Sequence, residues 1–316
     1  VDDGESDNHN DNPRVAGLEL ISSSSVTTYR RLKHNNGQIC FLWQKVVRAA
    51  QEATSFQDFL DTQQYSLTSI LRYEKIFGPG YVSTGGQGTT TEFAALLDLQ
   101  PGHRVLDVGC GIGGGDFYLA RQYGAHVLGL DLSTNMIHVA LERAQACPEL
   151  AVDFEIANAT TRDFAPRSFE VIYSRDTILH IEDKLALFQK FYKWLQPGGK
   201  VLISDYCCGD QGLTGASDRF QAYVAQRGYH LLSPAQYGKV LEQAGFVQVQ
   251  AQDRTEQFIK ILQDEVTKTK ACRDEFIQET SLEDYEAIVQ GWEAKIVRCQ
   301  EGDQKWGLFL AEKPME

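Results

Sequence analysis

The stretch Val105-Leu-Asp-Val-Gly-Cys-Gly-Ile-Gly-Gly-Gly115 joins a short apolar run to a glycine-rich turn, and a helical pattern begins at Asp116. A second apolar run follows about 20 residues further on and ends in Asp131. This order of strand, turn, helix and strand is typical of a nucleoside-binding βαβ unit. Because glycine has no Cβ, the turn lets the backbone approach a ligand closely. The carboxylate of Asp131 could then accept hydrogen bonds from both ribose hydroxyls.

Two details bear on which nucleoside is bound. The spacing Gly109-x-Gly111-x-x-Gly114 also fits the fingerprint of NAD enzymes, so the glycines alone leave NAD open. Asp107, just before the turn, would repel a pyrophosphate but would hold the ammonium group of a methionine. The stretch 194–205 predicts a helix stopped by Pro-Gly-Gly and followed by a buried strand, which resembles the fifth-strand signature of class I methyltransferases. Together these features favour S-adenosylmethionine.

Composition limits the remaining possibilities. The 316 residues are 42% hydrophobic and carry a net charge of −13, which argues against nucleic acid or an anionic membrane as a partner. No apolar run approaches the roughly 20 residues that cross a bilayer, so no membrane insertion is expected. The seven cysteines form no CxxC pair, which predicts a reducing, cytoplasmic compartment and no metal site. We expect a monomer.

The N-terminal region differs in character from the rest. Residues 1–14 form a polar tail, and two β-rich runs flank His34-Asn-Asn-Gly37, which is a strong hairpin signal. One interpretation is a remnant of an upstream methyltransferase-like domain, and the other is an extension packed on the catalytic domain. We assign residues 1–58 to the tail and hairpin, and 59–316 to the catalytic domain.

The catalytic region alternates between strand and helix patterns from 104 to 206. It predicts an α/β class I methyltransferase fold, Rossmann-like, with a mostly parallel sheet and an antiparallel last strand. A helical cap is expected at roughly 207–232 and 256–300. Beyond the first two strands, further strands are predicted at 154–158, 169–174, 200–205, 247–252 and 306–312.

The fourth strand runs into a candidate catalytic segment, Ser174-Arg-Asp-Thr-Ile-Leu-His-Ile181. Asp176 and His180 are four residues apart, on one helix face if the segment is helical. A lone histidine on an apolar stretch is more often a core residue. However, ligands of open parallel sheets bind beyond the carboxyl ends of the strands, where this segment lies, and that position favours a site.

Several ordered motifs resemble the phosphoethanolamine N-methyltransferase family, whose members methylate phosphoethanolamine stepwise to phosphocholine. The resemblance covers roughly residues 60–313. Some members are bipartite, and the hairpin fits a C-terminal half that performs the later methylations. The motifs are Tyr73-Glu-x-Ile-Phe-Gly78, Tyr81-Val-Ser-Thr-Gly-Gly86, Asp107-Val-Gly-Cys-Gly-Ile-Gly-Gly-Gly115, Tyr173-Ser-Arg-Asp-x-Ile-Leu-His180, Tyr192-Lys-Trp-Leu-x-Pro, Ile203-Ser-Asp-Tyr-Cys207, Gly291-Trp292, Lys295-Ile296 and Trp306-Gly307.

The resemblance implies a phosphobase N-methyltransferase that uses S-adenosylmethionine, with phospho-monomethylethanolamine and phospho-dimethylethanolamine as acceptors. An ammonium group has no lone pair, so the amine must lose a proton before it attacks. By resemblance, His180 with Tyr65 forms the base dyad and Asp176 holds the amine. A methyltransferase for an unphosphorylated amine and a non-catalytic S-adenosylmethionine-binding module are the alternatives.

The resemblance also implies two sets of binding residues. Phosphate or substrate contacts are expected from Tyr73, Ser83, Asp176, Tyr206, Arg227, Tyr229 and Lys295. The expected cofactor contacts are Tyr65, Ser83, Gly109, Asp131, Leu132, Asn158, Ala159 and Arg175. The family usually has Asp where this chain has Asn158, whose amide oxygen could still accept a hydrogen bond from the adenine amino group.

Overall fold

The computed structural model describes residues 18–22, 27–33, 39–45, 61 and 66–315, and its centre is one mixed sheet. The strand order is β1-β3-β2-β6-β5-β4-β7-β8-β10-β9. Strands β6, β5, β4, β7 and β8 are parallel, and β10 is antiparallel to both β8 and β9. The predicted class I methyltransferase fold is confirmed. The strands are β1 Leu18–Ser22, β2 Thr27–Lys33, β3 Ile39–Lys45, β4 Arg104–Val108, β5 His126–Asp131, β6 Val152–Ile156, β7 Phe169–Arg175, β8 Leu195–Cys208, β9 Val247–Asp253 and β10 Gln304–Glu312.

Helices cover both faces of the parallel strands, and neighbouring residues therefore enter different core clusters. On β4, Val105 packs in the cluster on one face and Leu106 in the cluster on the other. Because both faces are covered, β4 is an almost continuous buried run rather than an alternating one. The helices are α1 Leu67–Phe77, α2 Gly86–Ala94, α3 Gly114–Tyr123, α4 Thr134–Ala146, α5 Lys184–Trp194, α6 Asp218–Arg227, α7 Pro234–Gln243, α8 Thr255–Ala271, α9 Arg273–Glu279 and α10 Leu282–Gln300.

The predicted Pro-Gly-Gly helix stop is wrong in its mechanism. Helix α5 ends at Trp194, and β8 begins at the next residue, so 197–199 lie inside the strand. The pairing with β7 shifts between Leu195 and Lys200, which makes this stretch a bulge. Gly198 adopts a φ of +73° and donates its backbone N–H to the carbonyl of Lys313 at 2.9 Å. The glycines therefore shape a strand irregularity and do not cap the helix.

Strands β2 and β3 correspond to the two arms of the predicted hairpin. They pair antiparallel, from Tyr29 opposite Trp43 to Lys33 opposite Ile39. Strand β2 also pairs antiparallel with β6, so these strands extend the catalytic sheet. The connecting residues 34–38 and the polar tail lie outside the described residues. The origin of 1–58 as a domain remnant stays a prediction.

Helices occupy both segments expected to form the cap. Helix α6 lies within the first segment, and α8, α9 and α10 fill the second. Among the residues that the structure describes, no helix combines the length and apolar character needed to span a membrane.

Candidate active site

The glycine-rich turn after β4 is built from backbone conformations that only glycine adopts without strain. Gly109, Gly111 and Gly113 have φ angles of +84°, +55° and +84°. The N–H of Gly109 donates to the carbonyl of Leu130 at 2.7 Å, which ties the turn to β5. A Cβ on Gly109 would collide with the side chain of Thr177. A side chain at position 109 would therefore not fit in the turn.

Asp131 ends β5 and faces this turn. Its Oδ2 accepts the N–H of Gly111 at 2.9 Å, and its Oδ1 accepts the N–H of Ser133 at 2.8 Å. Burial raises the pKa of Asp131 to about 6, and these N–H groups oppose the rise. The carboxylate is mostly ionised at pH 7, and its remaining lone pairs can accept the hydroxyls of a ribose.

A cavity of about 590 Å³ opens in front of the turn and of Asp131. Most of the predicted cofactor contacts lie in its wall. They are Ser83, Gly109, Asp131, Leu132, Asn158, Ala159 and Arg175. Tyr65, the remaining one, lies outside the described residues, so its role in both the cofactor site and the base dyad stays a prediction.

Asp107 lies one layer behind the cavity wall, which is formed here by Gly114 and Gly115. Its carboxyl group lies close to that of Asp116, and both residues are buried. Burial and the closeness of the two acidic groups raise the pKa of Asp107, and burial raises that of Asp116 to about 7. Asp107 does not line the cavity, so the predicted direct contact between its carboxyl group and a methionine ammonium is not supported.

Asn158 uses its amide oxygen locally. Its Oδ1 accepts the N–H of Thr160 at 2.9 Å and the hydroxyl of Thr160 at 2.7 Å. Both lone pairs of this oxygen are therefore engaged. An adenine amino group would have to displace one of these bonds to reach it.

Arg175 stands in the cavity wall, but its guanidinium group holds neighbouring protein segments. It donates to the carbonyl of Thr84 at 2.8 Å and to the hydroxyl of Ser204 at 2.6 Å. The guanidinium also lies 4.9 Å above the ring centre of Phe93. Its side chain thus fixes the loop before α2 against the strands.

Asp176 and His180 lie where the large cavity meets a second one, because both residues line both cavities. The segment is not an α-helix, so the helix-face interpretation is wrong. Asp176 has a φ of +49°, and a single 3-10 turn follows at Ile178–His180. The end of β7 positions the side chain of Asp176, and the 3-10 turn positions that of His180.

The carboxylate of Asp176 is held from three parts of the chain, and one contact is the hydroxyl of Ser204 on β8, which donates to Oδ1 at 3.4 Å. Its Oδ1 accepts the indole N–H of Trp306 at 2.9 Å, and its Oδ2 accepts the backbone N–H of Thr84 at 3.1 Å. Sequence reasoning matched Trp306 to a motif but gave it no role. This indole fixes an anionic oxygen at the junction of the two cavities.

His180 is neutral at physiological pH. Burial, together with the smaller effects of the positive charges of Lys184, His230 and Arg227, lowers its pKa to about 4. Its ring packs edge-to-face on Tyr229, with 5.1 Å between the ring centres. A neutral imidazole can accept a proton, as a general base requires.

The second cavity, of about 160 Å³, is rich in aromatic and basic side chains. All the predicted substrate residues except Ser83 lie in its wall, which places Ser83 on the cofactor side. They are Tyr73, Asp176, Tyr206, Arg227, Tyr229 and Lys295.

Lys295 is buried in this second cavity. Its ammonium group lies 4.5 Å above the ring centre of Trp292 and donates to the hydroxyl of Tyr206 at 3.3 Å. Burial lowers the pKa of Lys295 to about 8, although the carboxylates of Glu265 and Asp176 oppose this. The group is largely cationic at pH 7.

Two further residues of this region were not predicted. Arg298 lines the second cavity, with its guanidinium 4.0 Å above the ring centre of Tyr223. Arg298 follows Lys295 by three residues on a helix, and this spacing could have predicted that the two side chains lie on the same face. Glu265 accepts the N–H of Gly85 at 3.2 Å and the indole N–H of Trp292 at 2.7 Å, joining the cap to the loop before α2. The described part of the chain contains no cluster of His, Cys, Asp and Glu suited to a metal ion.

A methyltransferase-domain model matches residues 105–199. The chain is 54% identical to phosphoethanolamine N-methyltransferase 1 of Triticum aestivum over 94% of its own length and 58% of the relative. It is 35% identical to phosphoethanolamine N-methyltransferase of Plasmodium falciparum, covering 83% of this chain and 98% of that protein. A solved structure of Haemonchus contortus phosphoethanolamine N-methyltransferase 2, with phosphomonomethylethanolamine and S-adenosylhomocysteine, matches with a TM-score of 0.80 at 36% identity, covering 88% and 63% of the two chains.

The sheet order, the glycine turn and Asp131 at the strand end define a class I methyltransferase. The plant relatives are longer, and the chain spans less than two thirds of their length. Over nearly the whole Plasmodium falciparum protein, however, the similarity is continuous. The chain belongs to the phosphoethanolamine N-methyltransferase family.

Proposed function

We propose that this chain transfers methyl groups from S-adenosylmethionine to phospho-monomethylethanolamine and phospho-dimethylethanolamine, giving phosphocholine. The observation that carries the proposal is the second cavity. Arg227, Lys295 and Arg298 line it although the chain has a net charge of −13. Three cations that converge against the overall field of the protein fit a phosphate group.

The junction of the cavities supports the chemistry. The nucleoside would occupy the large cavity, held by Asp131, and its sulfonium would supply the methyl group. Asp176 would hold the substrate amine, and His180 would accept the proton that the amine must lose. The nitrogen lone pair then forms the new N–C bond while the S–C bond breaks. Both side chains line both cavities, as an in-line transfer requires.

The later methylation steps are favoured by the relatives. The Haemonchus contortus enzyme is described in complex with phosphomonomethylethanolamine, the product of the first step. The hairpin at 15–49 fits the C-terminal half of a bipartite family member. A cytoplasmic location and a monomeric state stay predictions.

The test is methyl transfer from labelled S-adenosylmethionine to phosphoethanolamine and its monomethyl and dimethyl forms, beside the unphosphorylated amines. The proposal is supported if the enzyme turns over the monomethyl and dimethyl phosphobases and none of the other amines. Equal turnover of phosphoethanolamine would remove the late-step assignment. Equal turnover of the unphosphorylated amines would remove the phosphate site.

A further inference from the structure

The turn that carries His180 is held from beneath by two buried ionisable side chains, Lys184 and Asp205. Lys184, 4% exposed, donates its ammonium group to the carbonyl of Ile178 at 2.9 Å and to that of Ile181 at 2.6 Å. These two carbonyls flank the 3-10 turn Ile178–His180. One side chain thus fixes both ends of the turn.

Asp205, fully buried on β8, holds the middle of the same turn. It accepts the backbone N–H of Leu179. It also accepts the N–H of Tyr206 at 3.1 Å and the hydroxyl of Tyr237 at 3.2 Å. The Leu179 carbonyl is engaged as well, since it accepts the N–H of His230 at 2.7 Å. The turn has little freedom to move relative to the sheet.

Neither side chain takes part in the chemistry described above, yet each is costly to bury in its charged form. A buried lysine or aspartate is destabilising unless it is paired and hydrogen-bonded. Here the carboxylate of Asp205 opposes the fall in the pKa of Lys184 that burial causes, and Lys184 in turn opposes the rise in the pKa of Asp205. An apolar pair could fill the space but could not bind the turn's N–H and carbonyl groups.

We infer that Lys184 and Asp205 are positioning residues for His180, which they align with the substrate amine by fixing the backbone of the turn. The inference rests on the proposed function, because it takes His180 as the general base. It predicts that loss of the pair affects the chemical step and leaves phosphate binding intact.

The main test is the variant Lys184→Met in the full chain. We expect kcat to fall about 10- to 100-fold, because small misplacements of a reacting group have effects of this size. The KM for phospho-monomethylethanolamine should change little, because the cations of the second cavity are untouched. Lys193→Met is the matched control on the same helix, where Lys193 forms an exposed ion pair with Asp163. It should behave as wild type.

A double variant separates positioning from folding. Lys184→Met alone leaves Asp205 buried without the ammonium group that opposes the rise of its pKa to about 8, whereas Lys184→Met with Asp205→Asn removes both ionisable groups. The thermal unfolding midpoint should recover in the double variant, while kcat stays low because no ammonium group then joins the carbonyls of Ile178 and Ile181. Recovery of kcat together with stability would overturn the inference and show a merely structural pair.

Titration of the His180 imidazole by NMR gives a readout independent of turnover. His180 faces the charges of Lys184, His230 and Arg227 and the ring of Tyr229. Loss of the Lys184 charge should raise the imidazole pKa from its depressed value. An unchanged titration would mean that Lys184 does not influence the imidazole. A wild-type chain inactive on every phosphobase would refute the proposed function, whereas an active wild type with an equally active Lys184→Met would refute only the positioning role.

Discussion

The two cavities that meet at Asp176 and His180 are built in opposite ways. The large cavity uses a contiguous stretch of backbone, the turn at 109–115, and one carboxylate about 20 residues later, Asp131. The small cavity uses side chains from α1, β8, α6 and α10, which are distant in sequence. Substitutions outside the turn should therefore have little effect on the large cavity. The small cavity depends on how α6 and α10 pack, because its side chains come from separate helices.

The largest expected effect is at the junction that both cavities share. His180→Ala removes the proposed base, and kcat should fall about 10²- to 10⁴-fold because a positioned base contributes that much. The KM for the phosphobase should change far less. Steady-state kinetics at neutral pH measure both, and a near-normal kcat would contradict the assignment of the base.

Within the large cavity, Asp131→Ala should weaken S-adenosylhomocysteine binding about 10- to 100-fold, as expected for lost hydrogen bonds to a charged group. The change also leaves the N–H groups of Gly111 and Ser133 without their acceptor. Calorimetry should show phosphobase affinity within error of wild type. A parallel loss of both affinities would mean that the cavities are not separate.

Within the small cavity, Arg227→Met should raise the KM for phospho-monomethylethanolamine about 10-fold and leave kcat nearly unchanged, since binding to a charged phosphate is lost equally in ground and transition states. Turnover of unphosphorylated monomethylethanolamine, however slow, provides the control. If its KM rose by the same factor, Arg227 would not contact the phosphate.

The pH dependence of substrate binding sharpens the role of Lys295. Its pKa is lowered to about 8, so the positive charge is present below that pH and is lost above it. The phosphobase KM should therefore rise above pH 8, approaching about tenfold for each further pH unit. Lys295→Arg keeps its charge over this range, so a rise of equal size in that variant would exclude Lys295 as its source.

The smallest effect is expected from Asn158→Asp. A carboxylate can keep one oxygen on Thr160 and offer the other to the adenine amino group, whereas the amide oxygen is already occupied. We expect S-adenosylmethionine affinity to increase about 3-fold, within the usual net value of one hydrogen bond. Unchanged or weaker binding would show that Asn158 does not reach the adenine.

The same contrast explains what the sequence could predict. The glycine turn, Asp131 and the mostly parallel sheet follow from local patterns, because strand, turn and helix signals lie next to one another. Arg227 and Lys295 could be placed only by family resemblance, since no local rule brings α6 and α10 together. The predicted helix stop at 197–199 was wrong because a glycine pair occurs both where a helix ends in a loop and inside a strand bulge, and the sequence does not distinguish the two. The contacts of Lys184 with the turn were missed because a lysine at a helix start normally points to solvent.

The bond between Trp306 and Asp176 sets an order of events during synthesis. The nucleoside turn and its partner strand have left the ribosome once residue 131 is free, whereas the indole that holds Asp176 emerges only 175 residues later. The nascent chain therefore acquires the parts of its glycine turn long before the carboxylate of Asp176 is fixed. Any product of interrupted translation that stops before β10 lacks that last donor.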